Sequence, residues 1–96
     1  MTESHSFAPE LDSLVGQQVV LDVDGPFIYI GTLQAIDANS VTLVEADAHD
    51  LRETSTTTDQ YLIDTRKHGI RVNRRRVVVL CRRIISVSPL EAVVTY

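Results

Sequence analysis

Apolar and polar residues alternate along several stretches of the chain, and a two-residue period predicts β-strands. In the first stretch, which follows Gly16, Val19, Leu21 and Val23 would share one face. Four further stretches have a similar composition, rich in β-branched residues: residues 27–30 continuing at 32–36, 41–44, 70–72 continuing at 77–80, and 84–87. Branched side chains pack well on a pleated surface. The pattern therefore predicts five short strands.

Turn-forming residues separate the predicted strands. They are Asp24-Gly25-Pro26, the four residues from Asp37 to Ser40, and the tight connection Cys81-Arg82-Arg83. Gly31 interrupts the second strand, and a glycine inside a strand marks a bend or a close approach of two backbones. Five short strands with a glycine at a corner predict a small, strongly bent barrel, so the fold class is mainly β.

Two short helices complete the predicted fold. Residues 9–15 have Pro9 in the first turn and Gly16 as a stop signal. The second helix lies in the insertion at about residues 46–69. There, a threonine of the run 54–58 can cap its start, and Gly69 ends it. We expect Tyr61 and Leu62 to pin this helix to the barrel. The predicted organisation is a disordered leader (1–7), one domain (8–90) and a tail (91–96).

Composition narrows the class of protein. No apolar run approaches the roughly 20 residues that span a bilayer, so we expect no membrane partner. The first residues are polar and acidic, unlike a signal peptide, and the single cysteine, Cys81, suits a reducing cytoplasm. The net charge is −4, but residues 1–51 contain nine acidic and no Lys or Arg residues. All nine Lys and Arg residues follow, so an acidic side and a basic side are expected.

Two motifs resemble those of the Sm and Hfq proteins. The first combines Gly16 and alternating apolar positions with Gly31, Leu33, Asp37 and Leu43; the second is residues 77–89. The interval from Asp37 to Leu43 is similar to that of bacterial Hfq. However, Leu80-Cys81-Arg82 stands where Hfq has Tyr-Lys-His, and the insertion is unusually long. The sequence therefore resembles a divergent, bacterial-type member of the Sm-like superfamily.

The resemblance implies a ring of six or seven identical subunits that binds single-stranded RNA at turns facing the pore. Carried over by position, the candidate RNA-binding residues are Asp37, Asn39, Ser40, Arg82 and Arg83. Asn39 occupies the place of a stacking aromatic residue in Hfq. The absence of that aromatic side chain weakens base stacking. In the competing interpretation, residues 37–40 are only a turn whose side chains cap their own backbone.

A second candidate surface is the arginine-rich segment that begins the fourth strand. Arg71, Arg74 and Arg76 are candidate phosphate contacts. Three adjacent arginines on a strand alternate between its faces, so residues 74–76 cannot all meet one ligand. The alternative is that these side chains are solvated or pair with acidic residues of the same or a neighbouring chain.

Other chemistry is poorly supported by the sequence. Asp47, His49 and Asp50 lack the number and spacing of ligands in a structural zinc site, and surface solvation is the favoured interpretation. We expect no metal, no cofactor and no catalytic activity, because no nucleophile stands beside a motif-placed base. The alternative to RNA binding is a protein–protein scaffold of the same fold, with the insertion as its docking surface.

Overall fold

The computed structural model describes residues 9–95, and the predicted leader, residues 1–7, lies outside the described residues. The five strands are β1 (Gln18–Val23), β2 (Phe27–Ile36), β3 (Ser40–Asp50), β4 (Arg74–Leu80) and β5 (Ile84–Pro89). The two helices are α1 (Pro9–Asp12) and α2 (Thr58–His68). Three single-turn 3-10 helices cover Leu51–Glu53, Cys81–Arg83 and Leu90–Ala92. The predicted five strands, N-terminal helix and inserted helix are confirmed.

The strands form one antiparallel sheet in the order β4-β3-β2-β1-β5. All five strands contribute to one apolar core, which requires the sheet to curve around it into an open barrel. Its buried residues are Val19, Leu21, Leu33, Val41, Leu43, Ala46 and Val79, and Ile84 and Val87 of β5 pack against them. The strands β4 and β5 remain the two edges of the sheet.

A second core covers part of the outer face of the sheet. Val20, Ile28 and Ile30 pack there with Tyr61 of α2 and with Leu90, which lies in the segment after β5. Leu62 also packs against this cluster, so the prediction that Tyr61 and Leu62 pin the inserted helix is confirmed. Strand β1 is consequently buried on both faces, with Val19 and Leu21 inside the barrel and Val20 beneath the helix.

The glycine within β2 allows two strands to approach closely. A Cβ atom on Gly31 would lie 2.8 Å from the Cβ of Ala46 and 3.2 Å from the carbonyl oxygen of Val44. The β2–β3 register shifts between Ile30 and Thr32, at the same place. The predicted bend or close approach at Gly31 is therefore confirmed.

Strand β3 is much longer than the predicted residues 41–44. Residues 47–50 pair with residues 27–30 of β2, beyond an irregularity at Glu45, which has a φ of 48°. This half of the strand was not predicted, because its side chains are mostly polar and show no alternation of apolar and polar residues. Conversely, residues 70–72, predicted as part of a strand, form an irregular link between α2 and β4.

The chain ends of the elements carry the expected caps. The Thr57 hydroxyl accepts a hydrogen bond from the Gln60 N–H at 3.1 Å, and Gly69 ends α2 with a φ of 96°. Helix α1 is shorter than predicted, because residues 13–16 continue as a turn. The predicted tail begins within a 3-10 helix, Leu90–Ala92, whose first residue is buried.

Replacing the β2 glycine should destabilise the fold. In Gly31→Ala, the new methyl group overlaps Ala46 and the β3 backbone, so we expect the free energy of unfolding to fall by about 1–3 kcal/mol. Urea denaturation measures the change. The double variant Gly31→Ala/Ala46→Gly should recover part of the loss, because it removes one of the two overlapping methyl groups. Strictly additive effects of the two substitutions would contradict this explanation.

Candidate functional site

Two turns meet at one end of the sheet. The β2–β3 turn holds residues 37–39, and the 3-10 helix Cys81–Arg83 connects β4 to β5. The two turns are joined by a hydrogen bond of 2.8 Å from the Cys81 N–H to the Asn39 carbonyl oxygen. Between them is an open pocket of about 250 Å³ lined by Ala38, Asn39, Leu80, Cys81 and Arg82. The structure thus brings the candidate residues Asn39 and Arg82 together.

The carboxylate of Asp37 organises the β2–β3 turn. One oxygen accepts hydrogen bonds from the N–H groups of Asn39 and Ser40, both at 2.8 Å. The Ser40 hydroxyl donates to the same carboxylate at 3.2 Å. These backbone hydrogen bonds, that of Asn39 first, lower the pKa of Asp37. Asp37 and Ser40 therefore act within their own turn, as the turn interpretation expects.

Asn39 and Arg82 have side chains available to a ligand. Both are exposed, and neither side chain makes a hydrogen bond or ion pair to another residue in the range 9–95. An amide offers a donor and an acceptor, and a guanidinium offers five donors and a planar stacking surface. The pocket therefore presents two polar groups suited to a base edge and a phosphate. Cys81 is half-buried, and burial raises its thiol pKa.

Arg83 points away from that pocket. Its Nε donates to the Asp24 carboxylate at 2.6 Å, and the Asp24 N–H donates to the Arg83 carbonyl oxygen. Together they border a second cavity of about 280 Å³, which is also lined by Val23, Phe27, Tyr29, Val78, Val79 and Leu80. Arg83 thus connects the β4–β5 link to the β1–β2 turn, and it lines a different cavity from Asn39 and Arg82.

The candidate phosphate-binding arginines lie elsewhere. The guanidinium carbon of Arg71 lies 5.3 Å from the Tyr61 ring centroid, within the range of a cation–π contact. Arg74 donates to the Asn73 carbonyl oxygen at 3.0 Å. Arg76 is exposed on β4. None of the three lines the pocket at Asn39.

A buried polar cluster lies between α2 and β3. The Asp47 side chain is only 2% exposed, and its carboxylate accepts hydrogen bonds from the Tyr61 hydroxyl and from the Asn73 amide, the latter at 3.1 Å. Asn73 also accepts a hydrogen bond from the Ala48 N–H at 2.9 Å. The expectation that Asp47 is solvated is therefore wrong. The available signal was the i, i+2 spacing of Asp47 and His49, which puts both on one face of a strand.

His49 and Asp50, which were considered with Asp47 as metal ligands, have environments that differ from each other. The His49 ring stacks on Tyr61 with 3.8 Å between centroids, and its buried Nε2 has no hydrogen-bond partner. Asp50 caps the 3-10 helix Leu51–Glu53 and pairs with Arg52 at 2.8 Å. The hydrogen bond from Arg52 lowers the pKa of Asp50 to about 2. Within residues 9–95, no three His, Cys, Asp or Glu side chains are grouped to hold a metal ion.

Comparison with known proteins identifies the fold. No protein-family model matches the sequence, and no curated protein does. Among solved structures, the chain is similar to a Pyrococcus abyssii Sm protein in complex with a uridine heptamer. The TM-score is 0.58 and the identity 15%, covering 85% of this chain and 97% of that one. This chain has the Sm-like fold. The predicted fold class, and the resemblance to Sm proteins at the level of the fold, are thereby confirmed.

Two further structures agree with this assignment of the Sm-like fold. A heptameric archaeal Sm protein matches with a TM-score of 0.57 and 19% identity over 85% of this chain and 97% of that one. An Sm-like protein from Archaeoglobus fulgidus matches with a TM-score of 0.56 and 13% identity, over 90% and 99%. Between Pro9 and Thr95, no helix of this Sm-like chain is long and apolar enough to cross a membrane.

Removing the Tyr61 hydroxyl should destabilise the protein. In Tyr61→Phe, the buried Asp47 carboxylate loses a donor, so we expect the free energy of unfolding at neutral pH to fall by about 1–3 kcal/mol. Burial first, and then the Asp47 hydrogen bond, raise the pKa of Tyr61. The stabilisation is therefore complete below pH 10 and is lost as pH rises above it.

Urea denaturation across pH 7–11 measures both effects, and Tyr29→Phe is the matched control because Tyr29 makes no side-chain hydrogen bond within residues 9–95. The wild type and Tyr29→Phe should lose stability above pH 10 more steeply than Tyr61→Phe. Parallel pH profiles for all three proteins would show that the Tyr61 hydroxyl is not the group responsible.

Proposed function

We propose that this chain is a non-catalytic Sm-like module that forms a ring and binds single-stranded RNA at the pocket between its two turns. One observation carries the proposal. Asn39 and Arg82 line a common pocket, in a fold shared with an Sm protein whose structure contains a uridine heptamer. A bacterial-type origin and a cytoplasmic location are the remaining parts of this proposal.

Each residue has a distinct role in the proposed RNA contact. The Asn39 amide reads the edge of an unstacked base, since it can both donate and accept hydrogen bonds. Arg82 stacks on the base or binds its phosphate, because a planar guanidinium suits both contacts. Asp37 and Ser40 are positioning residues, because their hydrogen bonds hold the turn that carries Asn39. Arg83 is a positioning residue too: its ion pair with Asp24 ties the 3-10 helix that carries Arg82 to the β1–β2 turn.

The two edge strands support ring assembly. An edge strand presents unpaired N–H and C=O groups and pairs readily with another chain. Apolar side chains are exposed along both edges: Val78 (45%), Leu80 (44%) and Ile85 (71%). Pairing β4 of one subunit with β5 of the next satisfies both edges at once, and such head-to-tail contacts form a closed ring when the rotation between subunits closes. The resemblance to Sm and Hfq proteins implies six or seven subunits.

The purified protein should be a ring of six or seven subunits at micromolar concentration, as measured by light scattering. Val78→Asp places a charge at the β4 edge and should yield smaller species that keep their β-sheet circular dichroism. Val94→Asp is the matched control, since Val94 is 64% exposed but lies after β5 rather than on an edge. A wild-type monomer would refute ring assembly.

Short RNA should bind the wild-type ring. We expect fluorescence anisotropy of labelled oligo-U and oligo-A heptamers to show saturable binding that weakens with salt. Arg82→Ala and Asn39→Ala should each weaken binding by about fivefold to a hundredfold, because each loses a polar contact with the RNA worth ~1–3 kcal/mol. Arg52→Gln is the charge control; Arg52 is ion-paired to Asp50 at the far end of β3.

Light scattering on each variant separates loss of RNA contact from loss of the ring. Weaker binding by an intact Arg82→Ala ring, with Arg52→Gln unchanged, supports the proposed pocket. Equal effects of both arginine substitutions would show that only total charge matters. An intact wild-type ring without affinity for either RNA at low salt would refute the RNA proposal.

A protein–protein scaffold of the same fold is the second candidate function. The net charge of −4 and the asparagine in place of an aromatic stacking residue favour it. The insertion also offers a surface of its own, a groove of about 280 Å³ between α2 and residues 93–94. The anisotropy experiment separates the two functions. A scaffold forms the ring but binds neither RNA, and Arg82→Ala changes neither its assembly nor its anisotropy signal.

A further inference from the structure

The positive charge of the chain is concentrated in one segment. Eight of the nine Lys and Arg residues lie between Asp64 and Glu91, and no acidic residue lies between these two positions. Six of those eight cations fall within residues 66–76. A chain with a net charge of −4 therefore contains one strongly basic segment.

The six cations of this segment are on the surface. They occupy the end of α2, the irregular link 69–73 and the start of β4. We call the exposed side chains of Arg66, Lys67, Arg71, Arg74, Arg75 and Arg76 the basic surface. It lies at the end of the insertion and the start of β4, and not at the end of β4, where the turns that carry Asn39 and Arg82 lie.

None of these cations is neutralised within residues 9–95. The two ion pairs of that range join Arg52 to Asp50 and Arg83 to Asp24. Glu45, on the strand beside β4, makes no ion pair with the basic surface either. This observation disfavours the alternative that the arginines pair with acidic residues between Pro9 and Thr95. Clustered like charges repel one another, and a bound polyanion relieves that repulsion.

Three of the guanidinium groups are nevertheless held in place. Arg66 donates to the Val93 carbonyl oxygen at 2.8 Å, Arg74 donates to the Asn73 carbonyl oxygen at 3.0 Å, and Arg71 lies over the Tyr61 ring. Neutral partners leave each full charge and most of the five donors of each group available. Holding these side chains in advance reduces the entropy lost when an anion binds.

The basic surface is remote from the pocket at Asn39 and Arg82. Strand β4 runs from Arg74 to Leu80, and six steps along a strand cover about 20 Å. One nucleotide in the pocket therefore cannot reach Arg74. The segment 66–76 contains no Phe, Tyr or Trp, and six of its eleven residues are cations. Its dominant chemistry therefore suits the phosphates of a polyanion.

We infer that the basic surface is a second phosphate-binding surface, which holds the backbone of an RNA chain beyond the nucleotides bound at the pocket. The choice of RNA as the polyanion rests on the proposed function. Arg74 and Arg76, two residues apart on β4, meet the same stretch of backbone, and Lys67 and Arg71 extend the contact toward α2. Binding at this surface is independent of sequence and depends on RNA length.

The test compares a uridine heptamer with a roughly 20-nucleotide oligo-U, a length that exceeds one short site. Anisotropy titrations over a range of salt give the slope of log affinity against log salt. For Arg74→Gln/Arg76→Gln, we expect the slope for the long RNA to fall by about two or more and its affinity at low salt to fall about tenfold. Heptamer binding should not change.

Two further variants keep the result interpretable. Arg52→Gln/Ser55→Glu lowers the net charge by the same two units, at exposed residues before α2, and should leave both RNAs unaffected. Lys67→Gln removes a cation from α2, away from the sheet edge, and should weaken the long RNA alone. Light scattering confirms that each variant keeps the wild-type assembly.

The outcomes separate this inference from the proposed function. A heptamer that is insensitive to Arg82→Ala, with a long RNA that depends on Arg74 and Arg76, refutes the pocket and supports the basic surface. Equal losses for both RNA lengths, or no loss for either, overturn the inference. If polyglutamate binding depends on Arg74 and Arg76 while RNA binding does not, the surface serves an acidic protein and the inference is wrong.

Discussion

The hydrogen bonds to the buried carboxylate of Asp47 hold three parts of the molecule together. A carboxylate away from water is costly unless donors satisfy it, and breaking such a cluster is strongly unfavourable. Asp47 lies on β3. Its two hydrogen-bond donors are Tyr61, on α2, and Asn73, which immediately precedes β4. The insertion is therefore fixed to the sheet by polar contacts that admit one arrangement, while the apolar contacts around them supply most of the buried area.

This anchoring divides the molecule into two ends with different tasks. At one end, α2 covers Val20, Ile28 and Ile30, so this part of the outer face of the sheet is buried. At the other end, the turns that carry Asn39 and Arg82 stay open and exposed. The edges β4 and β5 run between the two ends. Any chain that binds at the turns and at the basic surface must therefore follow the length of the subunit.

The sequence predicts local structure well where one physical signal acts alone. Alternation placed Val19 and Leu21 opposite Val20. A threonine of the run 54–58 caps α2, as predicted, and Gly69 ends the helix. Prediction failed where partners are distant. The polar half of β3 resembled a loop, because the helix that buries Asp47 lies far along the chain. The Arg83–Asp24 ion pair joins residues 59 positions apart, and no local pattern encodes it.

The pairing of β1 with β5 has a consequence for the order of folding. Val19 lies opposite Pro89, so the first strand of the sheet acquires its second neighbour only from the last strand. During synthesis from the N-terminus, β1 and β2 emerge early, but β1 keeps an open edge until residues 84–89 leave the ribosome. Such long-range closure makes folding slow relative to helical proteins of equal size. Until then the nascent chain carries an unpaired apolar strand edge, a surface that is prone to non-native pairing and aggregation.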